Sequence, residues 1–398
     1  MKKILLLNPY YEPGYRSGGP QQTIQNIVDV YGEQCQFYIL TQNHDKGIEI
    51  PYEGIEEDVW LTVGKAKVKY LSSSNYNVFH LKKEYRQFDL IYSCGLFEKN
   101  SVLILAIHRF CRKQKKNLYI APMGVFSQAA IRSKSLKKQV FLKLYRSLRM
   151  FRNIAWSFTS NLEREDAEYV LGKKAIGNRY VIAEDLPRNV DFAHSKEEVA
   201  AYCKKSGELR VVFLSRICPQ KNLKFALQIL EHLYRGNIFF DIYGTKEDEL
   251  YWKNCTEQMK GLPGNVTVND CGELRPECTV PLFRRYDILL LPTKGENYGH
   301  VIYEALASGC IPVISDQTPW QDLDKLSCGH VISLQRMEQF QETIQKWIDV
   351  GEEEMRQTRR RAVEHAQQKY QKAVQESAYE RIFGIDENGS KLCDKTEK

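Results

Sequence analysis

The sequence has no apolar run as long as a membrane-spanning helix. A bilayer crossing takes about 20 apolar residues, whereas the run in the N-terminal MKKILLLNPYYEPG ends after a few positions. The run is also too short for the apolar core of a signal peptide. It is better interpreted as the first strand of a parallel sheet.

Paired cysteine motifs are also missing. The eleven cysteines are an odd number, are scattered, and include no C-x-x-C pair and no His-Cys cluster of zinc type. This pattern gives no disulfide framework and no structural metal site. It predicts a reducing cytoplasmic location.

Two common phosphate-binding motifs are absent as well. The segment after the first strand, Glu12 to Pro20 (EPGYRSGGP), is neither a Walker A loop nor a G-x-G-x-x-G turn. Gly18 and Gly19 would still let the backbone approach a ligand or hold an anion, and Pro20 suits the first position of a helix. The same letters are also typical of an ordinary turn.

Acidic residues are absent from a long stretch of the first half. From Lys99 through Leu162 the sequence has fourteen Lys and Arg and no Asp or Glu, so this stretch carries +14 and the rest carries 7 − 14 = −7. Residues 132–152 alternate basic and apolar side chains at near-helical spacing. They predict a basic amphipathic helix that suits an anionic membrane surface. A core-packed helix with a solvated basic face is the alternative, and no nucleic-acid-binding motif accompanies the charge.

What is present indicates two α/β domains. The chain has 398 residues, more than one hydrophobic core usually serves. It is 43% apolar and 27% charged. Short apolar runs alternate with amphipathic stretches from end to end, a pattern typical of parallel sheets with helical crossovers. The pattern breaks between Val181 and Lys205. The domain predictions are an N-terminal domain at 1–185, a linker at 186–206, a second domain at 207–363, a returning helix at 364–384 and a disordered tail at 385–398.

The most informative segment is Gly295 to Glu304, GENYGHVIYE. It follows the apolar run DILLLP and precedes a small-residue helix, so Glu296 is expected in a loop and Glu304 in the first turns of a helix. The N–H groups of Tyr298, Gly299 and His300 would open that helix, where an anion binds well. Backbone amides that can bind phosphate, next to a carboxylate that can bind vicinal hydroxyls, suit a nucleotide sugar as the ligand.

A second strand-to-helix turn carries cations. The strand RVVFLS leads into Arg216-Ile217-Cys218-Pro219-Gln220-Lys221-Asn222. Two positive charges there could stabilise the diphosphate that leaves when a nucleotide sugar reacts. Taken alone, the two cations would be interpreted as part of a solvated loop. The chain, however, has three strand-to-helix turns of interest: one with Gly18 and Gly19, one with Arg216 and Lys221, and one with Glu296 and Glu304. Together they favour a ligand site at the carboxyl ends of the strands.

Three segments resemble glycosyltransferase family 4: SRICPQKN (Ser215–Asn222), FDIYG (Phe240–Gly244) and the 287–316 stretch ending EALASGCIPVISD. These are retaining enzymes of the GT-B fold, and Glu296 and Glu304 match their E-x7-E element. The resemblance implies an α/β fold of two Rossmann-like, doubly wound domains facing across a cleft, with a C-terminal helix crossing back to the first domain.

The resemblance also implies roles for individual residues. Arg216 and Lys221 would hold the donor diphosphate, Glu296 would contact the donor sugar and Glu304 the ribose hydroxyls. The backbone N–H groups of Tyr298, Gly299 and His300 would donate hydrogen bonds to the sugar or the phosphate. Gly18 and Gly19 would line the side of the site that binds the acceptor and the phosphate. No metal is expected, because cations and helix amides replace it. The D-x-D at 322–324 is the metal element of a different glycosyltransferase fold and is interpreted as chance.

One position departs from the family. Relatives often have Pro-His-Gly or Pro-Arg-Gly after a strand of the first domain, whereas this sequence has Pro122-Met123-Gly124. Methionine neither carries charge nor hydrogen-bonds a hydroxyl strongly, so Met123 implies different sugar contacts. Activity is not excluded, because the front-face mechanism commonly proposed for the family uses no enzymic base.

The leading hypothesis is a cytoplasmic retaining glycosyltransferase, peripheral on the inner face of the membrane. It would move a hexose from a nucleotide diphosphate sugar, UDP-linked, to a glycan or lipid-linked acceptor in surface polysaccharide or glycoconjugate synthesis. A nucleotide-sugar epimerase or hydrolase of the same fold is one alternative. A non-catalytic sugar-nucleotide or membrane-binding module, motivated by Met123, is the other.

Overall fold

The computed structural model describes residues 1–110, 116–126 and 135–385 of the chain, with the side chains of 135–139 left out. Within these ranges the chain divides into two compact domains. The first is formed by residues 1–186 and the C-terminal segment from 373, and the second by residues 187–372. The predicted disordered tail from 386 on, and residues 132–134 of the predicted basic helix, lie outside the described residues.

The first domain contains an eight-stranded sheet with the order β3-β4-β2-β1-β5-β6-β7-β8. All neighbouring strands are parallel except β3 and β4. The strands are β1 (Lys3–Leu7), β2 (Gln36–Gln42), β3 (Trp60–Val63), β4 (Ala66–Leu71), β5 (Leu90–Cys94), β6 (Asn117–Ala121), β7 (Ala155–Phe158) and β8 (Tyr180–Ile182). The helices are α1 (Gly19–Tyr31), α2 (Val78–Tyr85), α3 (Lys99–Phe110), α4 (Ser135–Ser147), α5 (Asn161–Leu171) and α6 (Lys173–Ile176).

Both faces of this sheet are buried, which explains the continuous apolar runs of its strands. In β1, Leu5 and Leu7 pack into one hydrophobic cluster, while Ile4 and Leu6 pack into the cluster on the opposite face. Alternate side chains of a strand point to opposite faces. A strand that is apolar at every position therefore needs helices on both sides.

The second domain contains a six-stranded, fully parallel sheet with the order β11-β10-β9-β12-β13-β14. The strands are β9 (Glu208–Leu214), β10 (Asn237–Tyr243), β11 (Val266–Gly272), β12 (Ile288–Leu291), β13 (Ile311–Ser315) and β14 (His330–Ile332). The helices are α7 (Phe192–Ala201), α8 (Leu223–Leu230), α9 (Glu249–Met259), α10 (Thr279–Phe283), α11 (His300–Ala307), α12 (Met337–Asp349) and α13 (Glu352–Gln375), with a 3-10 turn at Pro276–Cys278.

The C-terminal segment returns to the first domain through helix α14 (Tyr379–Phe383). The ring of Phe383 lies 5.4 Å from that of Phe37 on β2 and 6.0 Å from that of Tyr31 on α1 (centroid distances). Its burial in this aromatic cluster anchors the end of the described chain. Two Rossmann-like domains with this returning helix confirm the predicted fold class.

The domain boundaries differ from the predicted ones. The stretch 186–206, expected as a linker, contains α7, which belongs to the second domain. Asp191 caps this helix, because its carboxylate accepts a hydrogen bond from the His194 N–H. The returning helix was expected to begin at 364, but α13 runs unbroken from 352 because no glycine or proline interrupts it. The chain passes to the first domain near residue 373, inside the last turn of that helix.

Candidate functional site

The order of the strands in the second domain creates a crevice at the end of β9. From β9 the chain continues to β10 and β11 on one side, and then returns to place β12 on the other side. The loops that follow β9 and β12 therefore leave the sheet next to each other. Such a switch point is where open α/β sheets bind ligands.

Hydrogen bonds tie these two loops together. The N–H of Lys294 donates to the carbonyl of Gln220 at 2.8 Å, and the side-chain amide of Gln220 donates to the carbonyl of Gly295 at 3.3 Å. Asn222 occupies a left-handed conformation at the start of α8 and donates to the carbonyl of Pro292 at 2.9 Å. The cationic and the di-glutamate turns are thus one structural unit.

Lys221 and Glu296 meet within that unit. The ammonium of Lys221 donates to Oε1 of Glu296, and the two side chains are only 10% and 11% exposed. The N–H of Glu296 donates to the carbonyl of Gln317 at 3.1 Å, which fixes the backbone of the loop. The structure therefore brings two of the predicted catalytic residues into direct contact, although 75 positions separate them in the sequence.

Arg216 lies at the start of the same cationic loop and pairs with Glu247 at 2.8 Å. Burial lowers the pKa of Arg216, but the carboxylate of Glu247 and, more weakly, that of Glu296 outweigh it and raise the pKa above its ordinary value. The backbone here is crowded: a Cβ at Gly244, which follows β10, would lie 1.8 Å from the carbonyl oxygen of Ser215. Only glycine lets these two loops approach so closely.

Helix α11 begins as predicted, after a glycine. Gly299 caps it with a left-handed φ of 82°, and a Cβ there would lie 2.9 Å from Cδ1 of Ile302. The carbonyl of Tyr298 accepts a hydrogen bond from the indole of Trp320 at 2.7 Å. The first N–H groups of a helix lack intrahelical partners, so the helix opens with backbone donors beside the loop that carries Glu296.

His300 is the first residue of α11 and is buried. Burial and, next, the charge of Arg188 lower its pKa to about 3, so the imidazole is neutral at physiological pH. Its ring lies 4.7 Å from the ring of Tyr298. A neutral ring cannot neutralise a diphosphate, whereas the side chains of Arg216, Lys221 and Arg188 carry positive charge.

Glu304 lies on α11, as predicted for the second glutamate, and the structure shows that it is almost fully buried. Its Oε1 is 3.4 Å from Nε of Arg188. Arg188 was missed by the sequence analysis, because it falls in the segment interpreted as a linker. No local pattern marks it, since its partner is 116 positions away (304 − 188).

The remaining predicted site residues belong to the first domain. Gly18 and Gly19 are exposed where the loop after β1 enters α1, and Gly18 has a positive φ of 72°. The loop is held from within, because the carboxylate of Asp45 accepts a hydrogen bond from the N–H of Tyr15 at 2.9 Å. In this sheet the switch point lies between β1 and β5, and the glycines follow β1.

Met123 follows β6 in a left-handed conformation with φ 58°. Its half-buried side chain packs against the hydrophobic cluster of the first domain. The next N–H, of Gly124, donates to Glu163 at 2.5 Å, and the same carboxylate accepts from the N–H of Thr159 at 2.7 Å. The loop is therefore anchored by Glu163 on α5.

The aspartates of the D-x-D at 322–324 have structural partners. Asp324 accepts hydrogen bonds from the ring of His330 at 3.0 Å and from the N–H of Val331 at 2.8 Å. Asp322 lies 3.9 Å from His365. Across residues 1–110, 116–126 and 135–385, no three His, Cys, Asp or Glu side chains are grouped as metal ligands would be.

Comparison with known families identifies the second domain. Residues 195–369 match the family model described as glycosyl transferases group 1. The second domain is therefore a glycosyl transferases group 1 domain. The match covers all the second-domain site residues except Arg188, and it confirms the resemblance inferred from the sequence. A search of curated protein sequences finds no match.

Solved structures show the same fold over the whole enzyme. Sucrose-phosphate synthase from Thermosynechococcus elongatus aligns with a TM-score of 0.70 at 14% identity, over 97% of this chain and 100% of its own. Anabaena HepE, solved in complex with UDP-glucose, aligns at 0.65 and 16% identity over 95% and 99%. WaaG, a glycosyltransferase involved in lipopolysaccharide biosynthesis, aligns at 0.64 and 14% identity over 96% and 100%. The enzyme has the GT-B fold.

Proposed function

We propose that the enzyme is a retaining glycosyltransferase that moves a hexose from a UDP-sugar to a glycan or lipid-linked acceptor. The observation that carries the proposal is the buried contact between Lys221 and Glu296 at the switch point, with Arg216 on the same loop. This arrangement combines positive charge for a departing diphosphate with a carboxylate for sugar hydroxyls.

The proposed reaction assigns one task to each group. The bond from the anomeric carbon to the phosphate oxygen breaks, and a bond from the acceptor oxygen to the same face of that carbon forms. The acceptor proton passes to the leaving phosphate, so no enzymic base is required. Arg216 and Lys221 stabilise the charge that develops on the diphosphate, and the amides at Tyr298, Gly299 and His300 bind phosphate or sugar oxygens.

The two glutamates hold the donor. Glu296 accepts hydrogen bonds from sugar hydroxyls, and Glu304 accepts them from the ribose. We expect no metal requirement, because cationic side chains supply the neutralising charge. Gly18, Gly19 and Met123, all in the first domain, are proposed to be substrate-binding residues.

The choice of donor and of pathway is supported by the relatives. HepE is described in complex with UDP-glucose and with UDP and glucose, and WaaG is described as acting in lipopolysaccharide biosynthesis. We extend a UDP-hexose donor and a role in surface polysaccharide or glycoconjugate synthesis to this enzyme on that basis.

A panel of nucleotide sugars tests the proposal. A UDP-hexose should raise the melting temperature by mass action, and its consumption should depend on an added acceptor and persist in EDTA. The product should keep the anomeric configuration of the donor, as read by NMR coupling constants. Inversion would contradict the retaining mechanism, and acceptor-independent loss of the sugar would favour the hydrolase or epimerase.

We further propose that the enzyme is cytoplasmic and binds the anionic inner face of the membrane through helix α4 and the turns up to residue 152. The structure separates two faces of this segment. Tyr145 and Phe151 are buried, whereas Val140 is 62% and Leu144 52% exposed. Phe110, 65% exposed, ends α3 beside it, because Arg109 donates to the carbonyl of Leu148 at 3.2 Å. No helix among the described residues is long and apolar enough to cross a membrane.

The exposed apolar face is flanked by positive charge, which complements anionic lipid headgroups. Exposed basic residues accompany it at Lys143, Arg146, Arg149 and Arg152. Vesicle flotation with and without phosphatidylserine tests the surface. Leu144→Ser should reduce binding to anionic vesicles, whereas Leu162→Ser, an exposed leucine on α5, should not. Equal flotation with neutral and anionic vesicles would contradict it.

A further inference from the structure

A solvent-accessible cavity of about 130 Å³ lies in the first domain, between helix α2 and strands β2 and β4. It lies in a different domain from the donor residues described above. Its lining consists of Leu40, Asp58, Lys69, Leu71, His80, Leu81, Lys83 and Glu84. The three leucines are buried, whereas the two basic residues of α2 are exposed at the rim.

Glu84 has an oxygen that the protein leaves without a partner. Its Oε1 accepts a hydrogen bond from Lys69 at 2.8 Å, but no group of the described residues hydrogen-bonds to Oε2, although the side chain is only 9% exposed. Buried carboxylate oxygens are normally satisfied, and leaving one unsatisfied is costly. A donor supplied from the cavity would remove this cost.

The other charges around the cavity are already held in place. The ammonium of Lys69 lies 4.6 Å from the centroid of the Trp60 ring as well as against Glu84. Asp58 accepts hydrogen bonds from Ser72 Oγ at 2.7 Å and from Asn75 at 2.8 Å. These contacts fix the side chains of Lys69 and Asp58 in the lining of the cavity.

Helix α2, which lines the cavity, also carries an exposed aromatic ring. Phe79 is 80% exposed and lies one helical turn before Lys83, and His80 lies one turn before Glu84. Residues four apart on a helix are neighbours. One short helix therefore carries a phenyl ring, an imidazole and an ammonium. Its start is fixed by Asn77, which accepts hydrogen bonds from the N–H groups of Phe79 and His80.

We propose that this cavity binds a neutral pyranose unit of a carbohydrate. A sugar hydroxyl donates to Oε2 of Glu84, while Lys83 and His80 donate to ring or hydroxyl oxygens. The C–H faces of the sugar pack on the leucine floor and on Phe79. A free anion fits poorly because Asp58 and Glu84 are both carboxylates, and a divalent cation fits poorly because Lys69 already occupies the carboxylate.

Ligand-observed NMR on the full chain tests the proposal with D-glucose, D-galactose and N-acetyl-D-glucosamine as probes, without nucleotide. Glu84→Gln should weaken sugar binding by about tenfold, the order expected for one charge-assisted hydrogen bond. The rim variant Lys83→Ala, which removes an exposed side chain, should weaken it to a smaller extent. Glu33→Gln, an exposed carboxylate paired with Lys65 in the same domain, should leave it unchanged.

The second-domain variant Lys221→Ala separates this site from the donor site. Sugar binding that survives Lys221→Ala and excess UDP, but is lost in the α2 variants, supports the proposal even if the transfer reaction proves different. Binding that is equal in wild type, Glu84→Gln and Lys83→Ala overturns it. So does a sugar-soaked crystal with water alone in the cavity, or phosphate or Ca²⁺ bound there in place of sugar.

Discussion

Arg188 places its Nε 3.4 Å from Oε1 of Glu304, the second glutamate of the E-x7-E element. The guanidinium is held in turn, because its Nη1 donates to the carbonyl of Pro276 at 2.6 Å. The Arg188 carbonyl accepts a hydrogen bond from Tyr303 at 2.8 Å, next to Glu304 on α11. These contacts orient the carboxylate before any ligand is bound, which is how a binding residue is preorganised.

We therefore predict that Arg188→Gln weakens UDP binding by about tenfold, because Glu304 loses the group that orients it. Arg188→Lys should recover only part of the affinity, since an ammonium cannot contact both Glu304 and Pro276 with the fixed geometry of a guanidinium. Isothermal titration calorimetry measures both effects. Arg235→Gln, which breaks an exposed pair with Asp349, is the matched control. Wild-type UDP affinity in Arg188→Gln would rule out the positioning role.

Variants of the Lys221–Glu296 pair distinguish its contribution to stability from its contribution to catalysis. Lys221→Ala should lower the free energy of unfolding by about 3 kcal/mol, because it leaves a buried carboxylate without its partner. It should also lower kcat by roughly two orders of magnitude, through the loss of diphosphate stabilisation. The double variant Lys221→Ala/Glu296→Gln should recover much of the stability and none of the activity. Denaturant melts and initial rates give the double-mutant cycle.

A near-normal rate in Lys221→Ala would contradict the proposed role of this residue in stabilising the diphosphate. Full activity in the double variant would also contradict that role, because the two residues would then contribute only to folding. Glu304→Ala extends the test, and we expect it to abolish transfer while the protein remains folded.

The parts of the site that were predicted from the sequence are those encoded locally. Strand β12 is apolar at every position, and a glycine follows within a few residues, so the strand-turn-helix order of 287–307 can be read directly. The outcome is as expected: Glu296 lies in the loop and Glu304 on the helix. The contact between Lys221 and Glu296 was not predictable in the same way, because it depends on β9 and β12 becoming neighbours.

Two elements of the first domain differ in how far their own sequence encodes them. Helix α5 carries a capping-box signal that was available, since the Ser160 side chain accepts a hydrogen bond from the N–H of Glu163 at 3.1 Å. Strand β8 has only three residues and no periodicity of its own. It is a strand because β7 offers it a parallel edge, and tertiary contacts of this kind leave no mark on the sequence.

His300 should make the second domain less stable in acid. Its folded pKa, about 3, is below the unfolded value near 6.5, so the unfolded chain binds the extra proton and stability falls as pH drops below 6.5. Between pH 7 and pH 5 this single group should cost about 2 kcal/mol. His300→Gln should flatten that part of the pH dependence. Hydrogen exchange of α11 peptides at the two pH values measures it, and parallel curves for wild type and variant would contradict the prediction.

Asp185 should produce the opposite dependence in the first domain. Burial and, next, the charge of Glu163 raise its pKa to about 7, although a hydrogen bond with Thr23 lowers it. The folded state therefore holds a proton that the unfolded chain releases near pH 4. Its contribution to stability is fully present below that pH and is lost as pH rises to about 7.

Between pH 5 and pH 8 this carboxyl should lower the free energy of unfolding of the first domain by about 3 kcal/mol. Asp185→Asn, which keeps the size of the side chain and cannot ionise, should remove most of this slope and slow hydrogen exchange in β8 at pH 8. Asp191→Asn is the control, because that exposed carboxylate caps α7 in the second domain. A wild-type slope in Asp185→Asn would show that another group of the first domain takes up the proton.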